Sequence, residues 1–213
     1  MARTIAPDHA EKRAAILKAA AHLFAREGYD RASMAALARA CGISKANIYH
    51  YWGGKEALLF DVLDSHLSNL RARILSVEPD PADPEAALRR AVREILFAYK
   101  GMDDEHRLQA NAMGALPEEQ QAILRGYQRD MVRHMGRLIR DAVGEGLGAD
   151  PVRLRGVTMS VFGMLNWFYM WNPGADDAAR AAYADLVCDL TLRGAGAVQG
   201  GAAMPAEPRV SKL

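Results

Sequence analysis

The chain has 213 residues, of which half are hydrophobic and a quarter charged, and its formal net charge is +1. This composition excludes a disordered chain, a collagen-like chain and a small disulfide scaffold. No apolar run reaches the roughly 18–20 residues that cross a bilayer, and the N-terminus lacks the apolar core of a secretory signal. We therefore expect a cytoplasmic protein with no membrane partner.

Charge is unevenly distributed along the chain. Residues 1–58 hold nine lysines and arginines against five acids, whereas the remaining residues hold 18 against 21. A basic N-terminal segment followed by a mildly acidic remainder predicts a polyanionic partner for the N-terminal segment. A solvated basic face is the alternative. The last three residues, Ser211-Lys212-Leu213, match a peroxisomal address, which we interpret as accidental.

The fold is predicted to be all-α, with about nine helices. Alternating β-branched runs are nearly absent, and apolar residues recur with the 3.6-residue period of a helix. The first helix is predicted to begin after Pro7-Asp8 and to end at Gly28. Two short helices follow, Ser33 to Ala40 and Lys45 to Tyr51.

The longer predicted helices occupy the rest of the chain. A linker at 77–84 contains three prolines, and a glycine-rich break is predicted at 144–148. The predicted helices cover 55–76, 84–100, 103–115, 117–143, 151–171 and 176–193.

The two short helices have the spacing of a helix-turn-helix, whose second helix fits a DNA major groove. Ser33 and Ser44 are the predicted N-caps, and Gly42 supplies the positive φ of the turn. A helical hairpin inside a bundle is the alternative interpretation of this spacing. Cys41, beside the glycine, is interpreted as a small packed residue in preference to a thiol switch.

Polar residues of the second short helix and its surroundings are the candidates for DNA contact. Asn47 is suited to a bidentate bond with an adenine edge, whereas Lys45 and Tyr49 are suited to phosphates. Lys55 is a further predicted phosphate anchor. The predicted DNA-contacting residues are Ser33, Ser44, Lys45, Ala46, Asn47, Tyr49, His50 and Lys55.

The segment Gly28–Leu58 reads GYDRASMAALARACGISKANIYHYWGGKEAL. It resembles the N-terminal signature of the tetracycline-repressor (TetR) family of bacterial regulators, most diagnostically in the aromatic run 49–52 and in the Lys-Glu-Ala-Leu at 55–58. The chain departs from the family pattern where Trp52 replaces a phenylalanine, Ala32 a threonine and Gly54 a capping Ser or Asp.

The resemblance implies a ligand-responsive regulator, and it favours a repressor. It implies a helix-turn-helix domain at 1–54 and a helical ligand-binding and dimerisation domain at 55–194, in which helix 55–76 is the connection. Residues 195–213 are expected to form a flexible tail. The partners implied are palindromic operator DNA, a small-molecule effector and a second copy of the chain, bound through the last two helices.

The effector class rests on a shorter resemblance. The stretch 166–174, NWFYMWNPG, is similar to a segment of family members that respond to fatty acids or acyl-CoA thioesters. Multidrug-like ligands and aromatic acids stay open, as does a role of residues 167–171 in the core or the dimer interface. Arg89, Arg93 and Arg107 are candidates for a CoA phosphate. The predicted pocket residues are Phe97, Met113, Met131, Phe162, Asn166, Trp167, Tyr169 and Met170.

Two competing hypotheses are an enzyme that uses the helical pocket and a DNA-binding protein without an effector. No nucleophile–base pair, paired carboxylates or metal-ligand spacing is found in the sequence. The glycines at 144–148 follow a predicted helix rather than a strand, so they do not indicate a dinucleotide loop. We therefore predict no catalytic residue, no metal and no cofactor.

Overall fold

The computed structural model describes residues 5–195, with side chains described at 9–144, 146–147 and 149–194. All regular secondary structure in these residues is helical, which confirms the predicted fold class. The helices are α1 (Ile5–Glu27), α2 (Met34–Cys41), α3 (Lys45–Tyr51), α4 (Lys55–Leu75), α5 (Pro84–Ala98), α6 (Asp103–Asn111), α7 (Glu118–Val143), α8 (Glu145–Gly148), α9 (Pro151–Trp171) and α10 (Asp177–Ala195).

Three predicted boundaries were wrong. Helix α1 begins at Ile5, upstream of the predicted start, because a proline in the first turn removes an N–H that has no intrahelical partner anyway. The predicted helix 103–115 ends at Asn111, and Met113–Ala115 form a separate 3-10 turn before the extended residue that precedes Pro117. The predicted break at 144–148 contains the one-turn helix α8.

The structure divides into two compact units. The first comprises residues 5–71 and 100–128, and the second comprises 72–99 and 129–195. This division reflects packing, whereas the predicted division at residue 54 concerns function and stays a prediction. Residues 196–213, which include the predicted tail and the C-terminal tripeptide, lie outside the described residues.

The core of the first unit is built by the apolar faces of α1 to α4. Phe24 of α1, Leu37 of α2 and Ile48 of α3 are buried, as is a run of leucines on α4. Burying a leucine or phenylalanine stabilises a fold by about 1.5–3 kcal/mol. These contacts fix the short helices against the two long ones.

The core of the second unit lies between α5, α9 and α10. Ile95, Leu165 and Val187 are completely buried there. Two arginines of α5 form ion pairs with aspartates of α10, Arg89 with Asp189 at 2.6 Å and Arg93 with Asp185 at 2.8 Å. None of the helices between residues 5 and 195 combines the length and apolarity that crossing a bilayer requires.

Candidate nucleic-acid interface

Helices α2 and α3 form the predicted helix-turn-helix. The Ser33 hydroxyl accepts a hydrogen bond from the Ala36 N–H, and the Ser44 hydroxyl accepts one from the Asn47 N–H, each at 3.1 Å. Gly42 adopts φ of 65°, the left-handed conformation that a glycine tolerates without strain. The predicted caps and turn are therefore confirmed.

Helix α3 turns almost all of its surface outward. Of its seven residues, Ile48 alone is buried. The Lys45 ammonium lies 5.6 Å from the centroid of the Tyr49 ring, a cation–π contact that places both groups on the same exposed side. The predicted contact residues that are exposed are Ser33, Ser44, Lys45, Ala46, Asn47, Tyr49 and His50.

Lys55 faces the protein's own backbone. Its ammonium donates to the carbonyls of Tyr29 at 2.8 Å, Asp30 at 3.1 Å and Ala32 at 3.1 Å, and it lies 4.5 Å from the Tyr29 ring centroid. These three bonds use all three of its protons. Lys55 therefore fixes the loop between α1 and α2, and its phosphate contact stays a prediction.

The C-terminal end of α3 is held by a polar cluster that the sequence did not reveal. Trp52 is buried, and its indole N–H donates to the Asp61 carboxylate of α4 at 2.6 Å. Arg13 of α1 pairs with the same carboxylate oxygen and lies 5.7 Å from the Trp52 ring centroid. From sequence alone, Trp52 is only a replacement for the phenylalanine of the family pattern, because nothing pairs it with an aspartate nine residues later.

Cys41 lies beside the turn and is half-buried, and burial raises the pKa of its thiol. A raised pKa disfavours the reactive thiolate, which agrees with the interpretation of a packed residue. No group of three metal-ligating side chains occurs among the residues that the structure describes.

A second surface lies on the last two long helices. Trp167 and Trp171 of α9 are 61% and 56% exposed, and Leu186 and Leu190 of α10 are 52% and 54% exposed. Gly163 on α9 leaves open space, since a Cβ added there meets no atom within 4 Å. Isolated apolar side chains on a surface need no explanation, but a contiguous apolar face marks an interaction site.

The predicted pocket residues do not share one environment. Phe162 and Met131 are buried, Phe97 and Tyr169 are half-buried, and Met113 belongs to the other compact unit. The remaining three, Asn166, Trp167 and Met170, are exposed.

Only some of the polar groups near the predicted pocket residues were singled out from the sequence. Asn166 accepts a 2.6 Å hydrogen bond from the hydroxyl of Tyr99, a buried residue that the sequence did not single out. Burial raises the pKa of this phenol, which stays a neutral donor. Arg89 and Arg93, candidates for a CoA phosphate, are engaged in the ion pairs described above.

Two family models match the chain. Bacterial regulatory proteins of the tetR family match residues 16–62, and the tetracyclin repressor-like C-terminal domain matches residues 81–195. The transcriptional repressor NicS of Pseudomonas putida is 27% identical over 191 residues, which cover 84% of this chain and 90% of that protein.

Solved structures of TetR-family regulators are also similar to this chain. A TetR-family regulator from Bordetella parapertussis is 31% identical, with a TM-score of 0.78 over 89% of this chain and 98% of that chain. The structure of AibR in complex with isovaleryl coenzyme A and operator DNA is 28% identical, with a TM-score of 0.69 over 84% of this chain and 97% of that chain.

Proposed function

Because this chain belongs to the TetR family, and is thus a ligand-responsive DNA-binding transcriptional regulator that acts as a homodimer, we propose that α3 is its recognition helix. The observation that carries this proposal is the exposed face of α3. A helix that is capped, and exposed at five of its seven residues, contributes little to a core. Its polar side chains remain available for the edges of bases.

We propose distinct roles for the residues of this face. Asn47 reads a base edge, whereas Lys45 and Tyr49, which lie together on one side of the helix, bind phosphates along one edge of the groove. His50 and Ser44 extend the contact along the helix, Ala46 permits close approach, and the N–H of Ser33 faces a second phosphate. Two such helices bind half-sites about one helical turn apart, roughly 34–36 Å, in a palindromic operator.

The dimer is proposed to form through α9 and α10. Their apolar face carries Trp167, Trp171, Leu186 and Leu190, all more than half exposed in the single chain. A second copy covers this face by two-fold symmetry, so each residue contributes twice. The open space at Gly163 lets the facing helix approach closely.

The effector is proposed to be an acyl-CoA or a fatty acid. In support, AibR, whose fold this chain shares, was solved with isovaleryl coenzyme A. The buried and half-buried members of the predicted set, Phe97, Met131, Phe162 and Tyr169, are suited to an acyl chain. The exposed Trp167 and Met170 are better suited to the dimer face.

The relatives are transcriptional regulators, and we propose regulation without catalysis, as a repressor in the bacterial cytoplasm. A DNA-release assay with the purified dimer on its own upstream DNA tests this proposal. Acyl-CoAs, fatty acids, aromatic acids and flat multidrug ligands are compared in parallel with thermal shift. A ligand at a hundred times its Kd stabilises the fold by about 2.7 kcal/mol.

Acyl-CoAs are expected both to raise Tm and to release the DNA. Release by aromatic acids alone would contradict the proposed effector class, whereas the proposed regulatory function would stand. Absence of salt-sensitive DNA binding would contradict the proposed DNA-binding function itself. A Phe162→Ala variant is expected to lose the acyl-CoA response while it retains DNA binding.

A further inference from the structure

We propose that Asp61 is a positioning residue for operator recognition, acting through Trp52 and Arg13 without contacting DNA. This inference rests on the proposal that α3 is the recognition helix. The Asp61 carboxylate sits on α4 and accepts from groups of two other segments. It thereby joins α1, α4 and the end of α3.

Few contacts along its own length hold α3 against the neighbouring helices. Of its seven residues Ile48 alone is buried, and the half-buried Tyr51 contacts His9 of α1 with ring centroids 4.7 Å apart, so its direction depends on these two contacts and on its two ends. Ser44 caps the N-terminal end within the same helix and cannot orient the helix relative to its neighbours. At the other end, the buried Trp52 follows directly and is the next anchor in the chain.

The side chains around Trp52 link the end of α3 to α1 and α4. The indole N–H of Trp52 lies 2.6 Å from Asp61 Oδ2, and the Arg13 guanidinium binds the same oxygen. The guanidinium also faces the Trp52 ring at 5.7 Å, so the three side chains form a closed triangle. A phenylalanine would occupy only part of this space and would lack the N–H, so the hydrogen bond to Asp61 of α4 would be absent.

Base recognition requires a precise orientation of α3. A seven-residue helix is about 10 Å long, so a tilt of about 10° around its N-terminal end moves its far end by about 2 Å. Such a shift exceeds the range of hydrogen-bond lengths. Base contacts therefore depend on the orientation of α3, whereas salt-dependent phosphate contacts tolerate it.

The test compares specific with non-specific DNA affinity in the full-length dimer. The specific probe is a duplex of about 30 bp, selected from a random pool with the wild-type protein, and the competitor is a random duplex of equal length. The ratio of the two Kd values is independent of the fraction of folded protein. A merely structural weakening therefore leaves the ratio unchanged.

Trp52→Phe removes the indole donor, and Asp61→Ala removes the carboxylate that accepts from Trp52 and pairs with Arg13. Tyr127→Phe is the matched control, because it removes an aromatic O–H that donates at 3.0 Å to Asp64, another aspartate of α4. We expect both test variants to lower the specificity ratio about tenfold by weakening specific binding, and the control to leave it unchanged. The double variant is expected to lower the specificity ratio no further than the more affected single variant does.

An unchanged ratio in Trp52→Phe overturns the proposal, as does an equal loss in Tyr127→Phe or a fully additive double variant. If Asp61→Ala does not fold, the comparison of Trp52→Phe with Tyr127→Phe still decides. If the wild-type protein selects no specific probe, the proposed function fails, and that outcome is distinct from an unchanged ratio.

Discussion

Replacing Trp167 by alanine tests the dimer interface most directly among the apolar residues of α9 and α10. The side chain is 61% exposed in the single chain, the largest exposure among the large hydrophobic residues of the described structure. A tryptophan buries up to about 250 Å² when it is fully covered. The exposed part then corresponds to about 150 Å² per protomer, or about 300 Å² per dimer.

At about 25 cal/mol per Å², this area sets an upper bound of about 7.5 kcal/mol on the contribution to dimerisation. Partial coverage, the retained alanine and side-chain ordering reduce it, and we expect a loss of about 3 kcal/mol. This corresponds to a dimer Kd about two orders of magnitude higher. Sedimentation equilibrium or mass photometry across a protein dilution series measures the change.

Ile123→Ala is the matched control, because Ile123 is an exposed apolar residue of α7, at 45%, outside this face. It is expected to leave the dimer Kd unchanged. Operator binding by Trp167→Ala is expected to weaken and to recover at higher protein concentration, as mass action requires. A Trp167→Ala dimer as tight as the wild type would refute the assignment of α9 and α10 as the interface.

Three further changes test the account. Ser44→Ala removes the cap of α3 and is expected to cost about 1 kcal/mol in thermal unfolding and to weaken operator binding; no change in either would contradict the cap. Lys55→Met leaves three carbonyls without their donor and is expected to lower the free energy of unfolding by about 2 kcal/mol. Lys45→Met, at an exposed position, is expected to leave Tm unchanged. Equal Tm values in the two variants would contradict the role of Lys55 in fixing the loop between α1 and α2. Burial lowers the pKa of His66 to about 4 and, with repulsion from His66, that of His106 to about 3. The unfolded chain then binds more protons than the folded chain below about pH 6.5, so the free energy of unfolding falls by about 2 kcal/mol per histidine between pH 7 and 5. Urea unfolding at both pH values should show that His66→Leu loses less stability than the wild type. An equal loss in the two proteins would contradict the prediction.

The helices could largely be predicted because their signals are local. Ser33, Ser44 and Gly42 each act within four residues of their position, and the structure confirms all three. The start of α1 was missed because Pro7, which ends many helices, is equally suited to a first turn. The division at residue 112 was missed because the apolar period continues through it.

The site was harder to predict because its supporting contacts are distant in sequence. The pair of Arg13 and Asp61 spans 48 positions, and that of Tyr99 and Asn166 spans 67 positions. The exposure of individual side chains could not be predicted either, because Trp167 is exposed and its neighbour Phe168, of similar hydrophobicity, is buried. The orientation of such residues follows from tertiary packing, which helical periodicity alone does not specify.

The central claim, that α3 reads the operator, is tested most directly by the specificity of Asn47→Ala. The selected duplex and a random duplex are compared across a salt series, with Lys45→Met measured in parallel. Asn47→Ala is predicted to lose about 1–3 kcal/mol of specific binding at each half-site, with its salt slope unchanged. Lys45→Met is predicted to weaken binding to both duplexes and to reduce the salt slope by about one per protomer. An Asn47→Ala dimer that discriminates between the duplexes as well as the wild type would contradict the account.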